Sequence, residues 1–318
     1  MRILLVKTSS LGDVIHNLPV ASDLARRFPG AAIDWVVEEG FIDIPRMHPA
    51  VRHVIPVALR RWRRRLLSPQ TWREMAMFLR VLKARGYDAV LDTQGLLKSA
   101  LIASRALGER LGYSADSARE PAAARFYDRT FPVPKSLHAV SRNRRLAAAA
   151  LGYSLEGLPL DYGIAVPAGP AFGWLPVCEY AVLLTATSRA DKEWPEPDWQ
   201  ALGTALIAMG LRCVLPGGNQ PERERAARLA TSLGRAMAAP AMSLAELSGL
   251  LAGARVVIGV DTGLVHLAAA LGRPTVALYC ASDPALTGVH AGDRAINLGG
   301  PGAPPSAAAV VAAARGLL

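Results

Sequence analysis

Cysteine is scarce in this chain. Its 318 residues hold three, Cys178, Cys213 and Cys280, which form no even set and show no metal-ligand spacing. They read as free thiols of a reducing cytoplasm rather than a disulfide framework or a zinc site. No apolar run approaches the length of a bilayer span. Polar Thr8-Ser9-Ser10 follow the first apolar residues at once, which reads against a secretory leader. Asp-x-Asp is absent, as are a G-x-S-x-G elbow and the glycine spacings of Walker and dinucleotide loops. A carboxylate-held metal and a serine nucleophile are therefore not expected, and stabilising an anionic leaving group falls to cationic side chains.

What is present is a folded protein, 51% hydrophobic and long enough for two domains that each bury a core. The net charge of +10 is unevenly placed. Residues 1–160 carry 25 Lys/Arg against 14 Asp/Glu, a net of +11, and residues 161–318 carry 11 against 12, a net of −1. The first half should therefore meet something anionic: nucleic acid, an acidic membrane surface, or a phosphorylated or carboxylated substrate.

Strand and helix patterns alternate along the chain. Arg2–Val6 reads as a strand and Thr8–Asp13 as a turn. Val14, Leu18, Ala21, Ala25 and Phe28 keep helical spacing, with a kink expected at Pro19. Strands follow at 32–37 and 51–57, a helix at 69–85, a strand at 87–92 that ends in Thr93-Gln94-Gly95, a helix after it through Leu107, and another at 138–151. Residues 163–177, with Gly163, Pro167, Gly169, Pro170, Gly173 and Pro176, read as a linker. Beyond it come a strand at 180–186, a helix at 196–209, a strand at 212–215, and helices at 221–233 and 243–251. A strand at 256–260, a helix at 264–271, a last strand at 275–280 and an Ala-rich helix at 307–318 complete the chain. The pattern predicts an α/β protein with two Rossmann-like, doubly wound parallel sheets.

Five stretches could carry chemistry. Val256-Val257-Ile258-Gly259-Val260 reads as a buried parallel strand that feeds a helix through Asp261-Thr262-Gly263. Such a helix start points unpaired N–H groups at one spot and attracts phosphate, although Asp261 and His266 could equally be a cap and a packed side chain. Lys7 to Asp13 is a turn of hydroxyl residues and Gly. Asp13 is more ordinarily a helix cap, but a bare carboxylate there could accept a proton from a hydroxyl nucleophile. Thr187 and Ser188, with Lys192 four residues on, suit a diphosphate or are an ordinary polar loop. Glu222, after Pro216-Gly217-Gly218, could hold a ribose or start a helix. Arg60-Arg61-Trp62-Arg63-Arg64-Arg65 exceeds what a solvated face needs. It reads as an anion contact, with nucleic acid disfavoured by the lack of interleaved aromatics beyond Trp62.

These stretches occur together in one family. Val6 to Asp13, Asp34 to Phe41, Arg60 to Arg63, Asp191-Lys192-Glu193-Trp194-Pro195 and Val260 to Gly263, in that order, resemble the lipopolysaccharide heptosyltransferases of glycosyltransferase family 9 almost end to end. The resemblance implies a GT-B fold with two Rossmann-like domains facing across a cleft. Residues 1–163 would bind the acceptor, 164–302 the ADP-sugar, and the helix at 303–318 would return to the first domain. It implies inverting, metal-independent transfer of L-glycero-D-manno-heptose from ADP-heptose to the inner Kdo of Kdo2-lipid A, without cofactor or nucleic acid. The enzyme would be a monomer, peripheral on the anionic cytoplasmic face of the inner membrane.

By the same resemblance, Asp13 and Lys192 match catalytic positions. Thr187, Ser188, Lys192, Glu222, Met242, Asp261, Thr262, Gly263 and His266 match the donor site, and Ser10, Arg60, Arg61, Arg63, Arg64, Lys98 and Arg119 the acceptor site. A relative using an already heptosylated acceptor, and a nucleic-acid-binding protein using Arg60–Arg65, are the alternatives. The chain departs from the family in Tyr279-Cys280-Ala281-Ser282-Asp283-Pro284, where Gly, Pro and Thr usually follow the Tyr.

Overall fold

The structure is a computed structural model that describes residues 1–165 and 172–318. The chain divides into two compact units, Met1–Ala165 and Val166–Leu318. Pro167, Gly169 and Pro170 of the expected linker lie outside the described residues.

The first unit runs β1 (Arg2–Val6), α1 (Leu11–Ile15), α2 (Leu18–Arg27), β2 (Ala32–Glu38), α3 (Asp43–Arg46), β3 (Val51–Val57), α4 (Leu59–Arg64), α5 (Pro69–Lys83), β4 (Gly86–Asp92), α6 (Leu97–Ala103), β5 (Leu107–Tyr113), β6 (Arg129–Phe131) and α7 (Ala139–Leu151). Its six parallel strands lie in the order β3-β2-β1-β4-β5-β6. Ile3, Leu4, Leu5 and Val6 are fully buried. A central parallel strand is covered on both faces, which is why its sequence shows no polar alternation.

The second unit runs β7 (Tyr180–Leu184), α8 (Glu196–Ala208), β8 (Arg212–Leu215), α9 (Gln220–Leu233), β9 (Ala236–Ala238), α10 (Leu244–Gly253), β10 (Val256–Val260), α11 (Gly263–Ala270), β11 (Thr275–Tyr279), α12 (Pro284–Thr287), β12 (Ala295–Gly299) and α13 (Ala307–Leu317). Its sheet order is β12-β11-β10-β7-β8-β9, again all parallel. In both units the strand order reverses beside the first strand, between β1 and β4 and between β7 and β10. Open α/β sheets bind ligands at the carboxyl ends of the strands flanking such a reversal.

Four expectations need correction. The first helix is not kinked but broken: α1 ends at Ile15, and Pro19 sits in the opening turn of α2, where its missing N–H costs nothing. The helix expected through Leu107 ends at Ala103, and Leu107–Tyr113 is a strand. The strand at 275–280 is not the last, because β12 pairs with it at the sheet edge. The final helix packs on the second unit, against α8, β10 and β11. Its small apolar face, Val310 and Ala314, is fully buried in that unit's core, and Trp194 Nε1 bonds Pro305 O at 2.9 Å just before it.

No helix among the described residues is long and apolar enough to cross a membrane.

Candidate active site

In the first unit the chain leaves β1 into a turn that side chains from other elements hold in place. The Thr8 N–H and hydroxyl both donate to Gln94 Oε1 (2.7 and 2.8 Å), and Gln94 Nε2 donates to Ser9 O at 2.7 Å. Gln94 follows β4, so one amide ties together the two strand ends at the reversal point. Beneath the turn, buried Lys7 donates from Nζ to Thr93 O (2.8 Å) and Asn143 Oδ1 (3.3 Å). Burial pushes the Lys7 ammonium down to about 8, against an upward pull from Asp13.

Ser10 caps α1, and Asp13 lies in its first turn, accepting from the Ser10 N–H at 3.0 Å and the Ser10 hydroxyl at 3.2 Å. The cap reading is therefore correct as far as it goes, but it does not exhaust the carboxylate. Arg119 reaches Asp13 Oδ1 at 2.9 Å. Burial pushes the Asp13 carboxyl up, but the charges of Lys7 and Arg119 and the Ser10 N–H bond outweigh it and hold the group below its ordinary value. Lys98 donates to Ser9 Oγ at 2.7 Å and sits within the fields of Glu38, Arg60 and Asp13. Ser10, Asp13, Lys98 and Arg119 thus converge on one carboxylate-and-cation cluster.

The arginines of α4 behave less uniformly. Arg60, Arg61 and Arg64 line a cavity of about 500 Å³ with Glu38, Glu39 and Phe41, and Arg63 is exposed outside it. Arg61 is already neutralised by a two-pronged pair with Glu39 (3.0 and 2.9 Å) and by Glu74 at 2.7 Å. Its guanidinium is committed to the fold before any ligand arrives. Trp62 is a core residue, packed edge-on to Phe78 with its indole N–H on Glu74.

In the second unit the reversal point opens into a cavity of about 280 Å³ lined by Thr187, Ser188, Glu222, Met242 and Thr262, with apolar walls from Leu184, Pro240, Leu247 and Leu264. A few polar groups on an apolar lining suit a small ligand with a flat ring and a charged end. Glu222 makes the helix-start bonds foreseen as its alternative role, accepting from Gly218 N (2.8 Å) and Asn219 Nδ2 (2.8 Å). Gly263 opens α11 behind its N-cap Thr262, so the first N–H groups of that helix lack intrahelical partners.

Next to the lining residues Thr187 and Thr262 stands a charged network around Asp261. Lys192 Nζ reaches Asp261 Oδ2 at 2.6 Å, the Ser282 hydroxyl donates to the same oxygen at 2.5 Å, and His266 Nε2 lies 3.6 Å from Oδ1. Thr187 Oγ1 donates to the Asp261 carbonyl at 3.0 Å. Burial would raise the Asp261 carboxyl, but hydrogen bonds from His266, Lys192 and Ser282 drive it far below its ordinary value. Of the nine residues matched to the donor site, five line that cavity, three form the adjoining ionic network, and Gly263 opens the helix behind Thr262.

A sequence profile of glycosyltransferase family 9 (heptosyltransferase) matches residues 75–308. The chain belongs to glycosyltransferase family 9. This family-9 enzyme is 48% identical over 308 residues to lipopolysaccharide heptosyltransferase 1 of Pseudomonas aeruginosa, a match covering 94% of this chain and 84% of that protein. It is 47% identical over 295 residues to the protein of the same name from Escherichia coli (strain K12), covering 91% and 90%. The solved structure of Escherichia coli heptosyltransferase WaaC with ADP matches with a TM-score of 0.91, at 44% identity and over 100% of both chains. WaaC with ADP-2-deoxy-2-fluoro heptose matches at 0.86, with 45% identity and 98% coverage of each chain. The family-9 chain is a heptosyltransferase with the two-sheet α/β fold of these relatives.

Sequence reasoning overlooked three side chains of the candidate site. Ser282 keeps a hydroxyl on Asp261 where the family usually has Thr. That shared hydroxyl was the available signal, whereas the departure at Cys280 and Ala281 drew attention to the backbone. Gln94 and Lys7 gave no signal by themselves, since only the pairing of β1 with β4 brings them under one turn.

Proposed function

We infer that this heptosyltransferase moves L-glycero-D-manno-heptose from ADP-heptose to the inner Kdo of Kdo2-lipid A, with inversion, at the cytoplasmic face of the inner membrane. The observation that carries the reading is the pairing of a ring-sized cavity with the Lys192–Asp261–Ser282–His266 network at the β7/β10 reversal. The adenosine occupies the apolar part of the cavity, and Glu222 takes the ribose. The diphosphate meets Lys192, Thr187, Ser188 and the start of α11, where backbone donors and an ammonium offset negative charge without a metal.

The acceptor hydroxyl oxygen bonds to the anomeric carbon as the bond to the diphosphate oxygen breaks, and the hydroxyl proton passes to Asp13 while ADP leaves. Lys192 and the helix start act where charge grows on the leaving group, which is the place at which a fixed donor lowers the barrier. Arg119, Lys98 and Arg60 hold the carboxylates and phosphates of the acceptor, while Arg61 stays on Glu39 and Glu74.

The test is ADP release from ADP-heptose with and without Kdo2-lipid A. Release that depends on this acceptor is expected. Release only with an already heptosylated acceptor would transfer the assignment to a later step, and tight RNA or DNA binding without ADP release would abandon it.

A further inference from the structure

The face formed by α4 and α5 is unusual in both its charge and its exposed apolar surface. Leu66 and Leu67, at the tip between the two helices, are 52% and 100% exposed, and Trp72 in the first turns of α5 is 57% exposed. Single exposed apolar residues are ordinary, but three large ones within seven positions are not. Farther along α5, Met77 and Val81 are also exposed, and their four-residue spacing puts them on one side of the helix.

Residues 59–85 carry nine Lys/Arg against one acid, Glu74, and Glu74 is occupied by Arg61 and the Trp62 indole. Arg63, Arg64, Arg65 and Arg73 are exposed and enter no ion pair among the described residues.

The tip is held rigidly outward. Its base is the buried Trp62–Phe78 contact, with ring centroids 5.9 Å apart. Trp72 Nε1 donates to Leu66 O at 2.8 Å, and the Ser68 N–H donates to Arg65 O at 3.0 Å. A closed hairpin of this kind presents its two leucines to solvent by construction.

We propose that the α4–α5 tip inserts Leu66, Leu67 and Trp72 into an anionic bilayer while Arg63, Arg64, Arg65 and Arg73 contact lipid phosphates. The idea rests on the membrane-face reading above and names the residues that would do it. Leucine gains burial at the headgroup–acyl boundary, an indole suits that boundary, and arginine pairs well with phosphate. An anionic leaflet draws in a polybasic segment. A nucleic acid would use the arginines but has no use for paired leucines, because single strands are held by aromatic stacking.

The full chain is sedimented with phosphatidylglycerol–phosphatidylethanolamine vesicles free of lipid A, and with phosphatidylcholine vesicles. Binding to the anionic vesicles, released by salt, is expected. Leu66→Ser/Leu67→Ser should weaken it on the order of tenfold and leave turnover on a deacylated, water-soluble acceptor unchanged. Both leucines are exposed, so the double variant should fold. Unchanged vesicle affinity in that variant, equal affinity for phosphatidylcholine, or tighter binding of single-stranded RNA than of the anionic vesicles would overturn the proposal. Absence of turnover by the unaltered chain on the soluble acceptor would instead count against the transfer reaction itself.

Discussion

The Asp13 carboxylate is a weak base, and the proposed transfer asks it to act as one. Its carboxyl is held below the ordinary value of 3.8 because the charges of Lys7 and Arg119 and the Ser10 N–H outweigh its burial. It therefore stays ionised across the physiological range and does not compete for protons with solvent. A carboxylate of this kind accepts a proton late, once the attacking hydroxyl has bonded to an oxocarbenium-like carbon and become strongly acidic. Asp13→Asn preserves the shape and the contacts to Ser10 but removes the proton acceptor. Turnover should fall by about 10²- to 10⁴-fold, with ADP affinity, measured by calorimetry, nearly unchanged because every proposed donor contact lies in the second unit. Lost ADP affinity with turnover intact would remove Asp13 from the chemistry.

Elements in the first unit are tied by a histidine that must stay neutral. His48 follows α3, shares a 2.9 Å hydrogen bond with Ser22 on α2, and accepts the Ala50 N–H at Nδ1. Accepting at Nδ1 leaves the proton on Nε2, so a second proton would break the Ala50 bond. Burial lowers the imidazole to about 4 from 6.5, with a smaller upward pull from Asp161. The unfolded chain takes its proton near 6.5 and the folded chain resists until about 4, so stability is complete above the first value and lost as pH falls towards the second. The loss is roughly 3 kcal/mol. Thermal unfolding followed between pH 7 and pH 4.5 should show this slope, and His48→Gln should flatten it. An equal slope in the variant would mean that other groups carry the acid sensitivity.

Elements also differ in how plainly the sequence announces them. Central strands such as β1 and β10 are legible because burial on both faces demands unbroken apolar residues. β5 is not, because Leu107-Gly108-Glu109-Arg110-Leu111-Gly112-Tyr113 mixes charge with glycine. The reason is tertiary: a Cβ on Gly112 would lie 2.3 Å from the Tyr127 ring, and Tyr127 is held by its hydroxyl on buried Asp92. The glycine serves a neighbour 15 positions away, so the local pattern looks like a loop. The α13 docking was missed for a similar reason, since its Ala-rich face fits many surfaces and only packing on α8 selects one. The residues that line the second unit's cavity and its ionic network were legible through motif order, whereas the commitment of Arg61 to Glu39 and Glu74 depends on folded geometry.

Across the whole molecule the charge is partitioned, +11 in residues 1–160 and −1 in 161–318, and the two units should respond differently to salt. The unpaired arginines of the first unit are exposed, and raising ionic strength from about 0.1 M to about 1 M shrinks the screening length from about 10 Å to about 3 Å. Their attraction for an anionic acceptor is then largely lost. In the second unit the Lys192–Asp261 pair is mostly buried, with side-chain exposures of 19% and 11%, and partly buried charges are screened far less. Over that range the KM for a water-soluble, deacylated acceptor should rise about tenfold or more, while the Kd for ADP changes little. A soluble acceptor keeps bilayer binding out of the measurement. If both constants moved together, the basic half would not be the acceptor's electrostatic partner. If the acceptor KM stayed flat, its recognition would rest on hydrogen bonds at Ser10 and Lys98 rather than on the arginines.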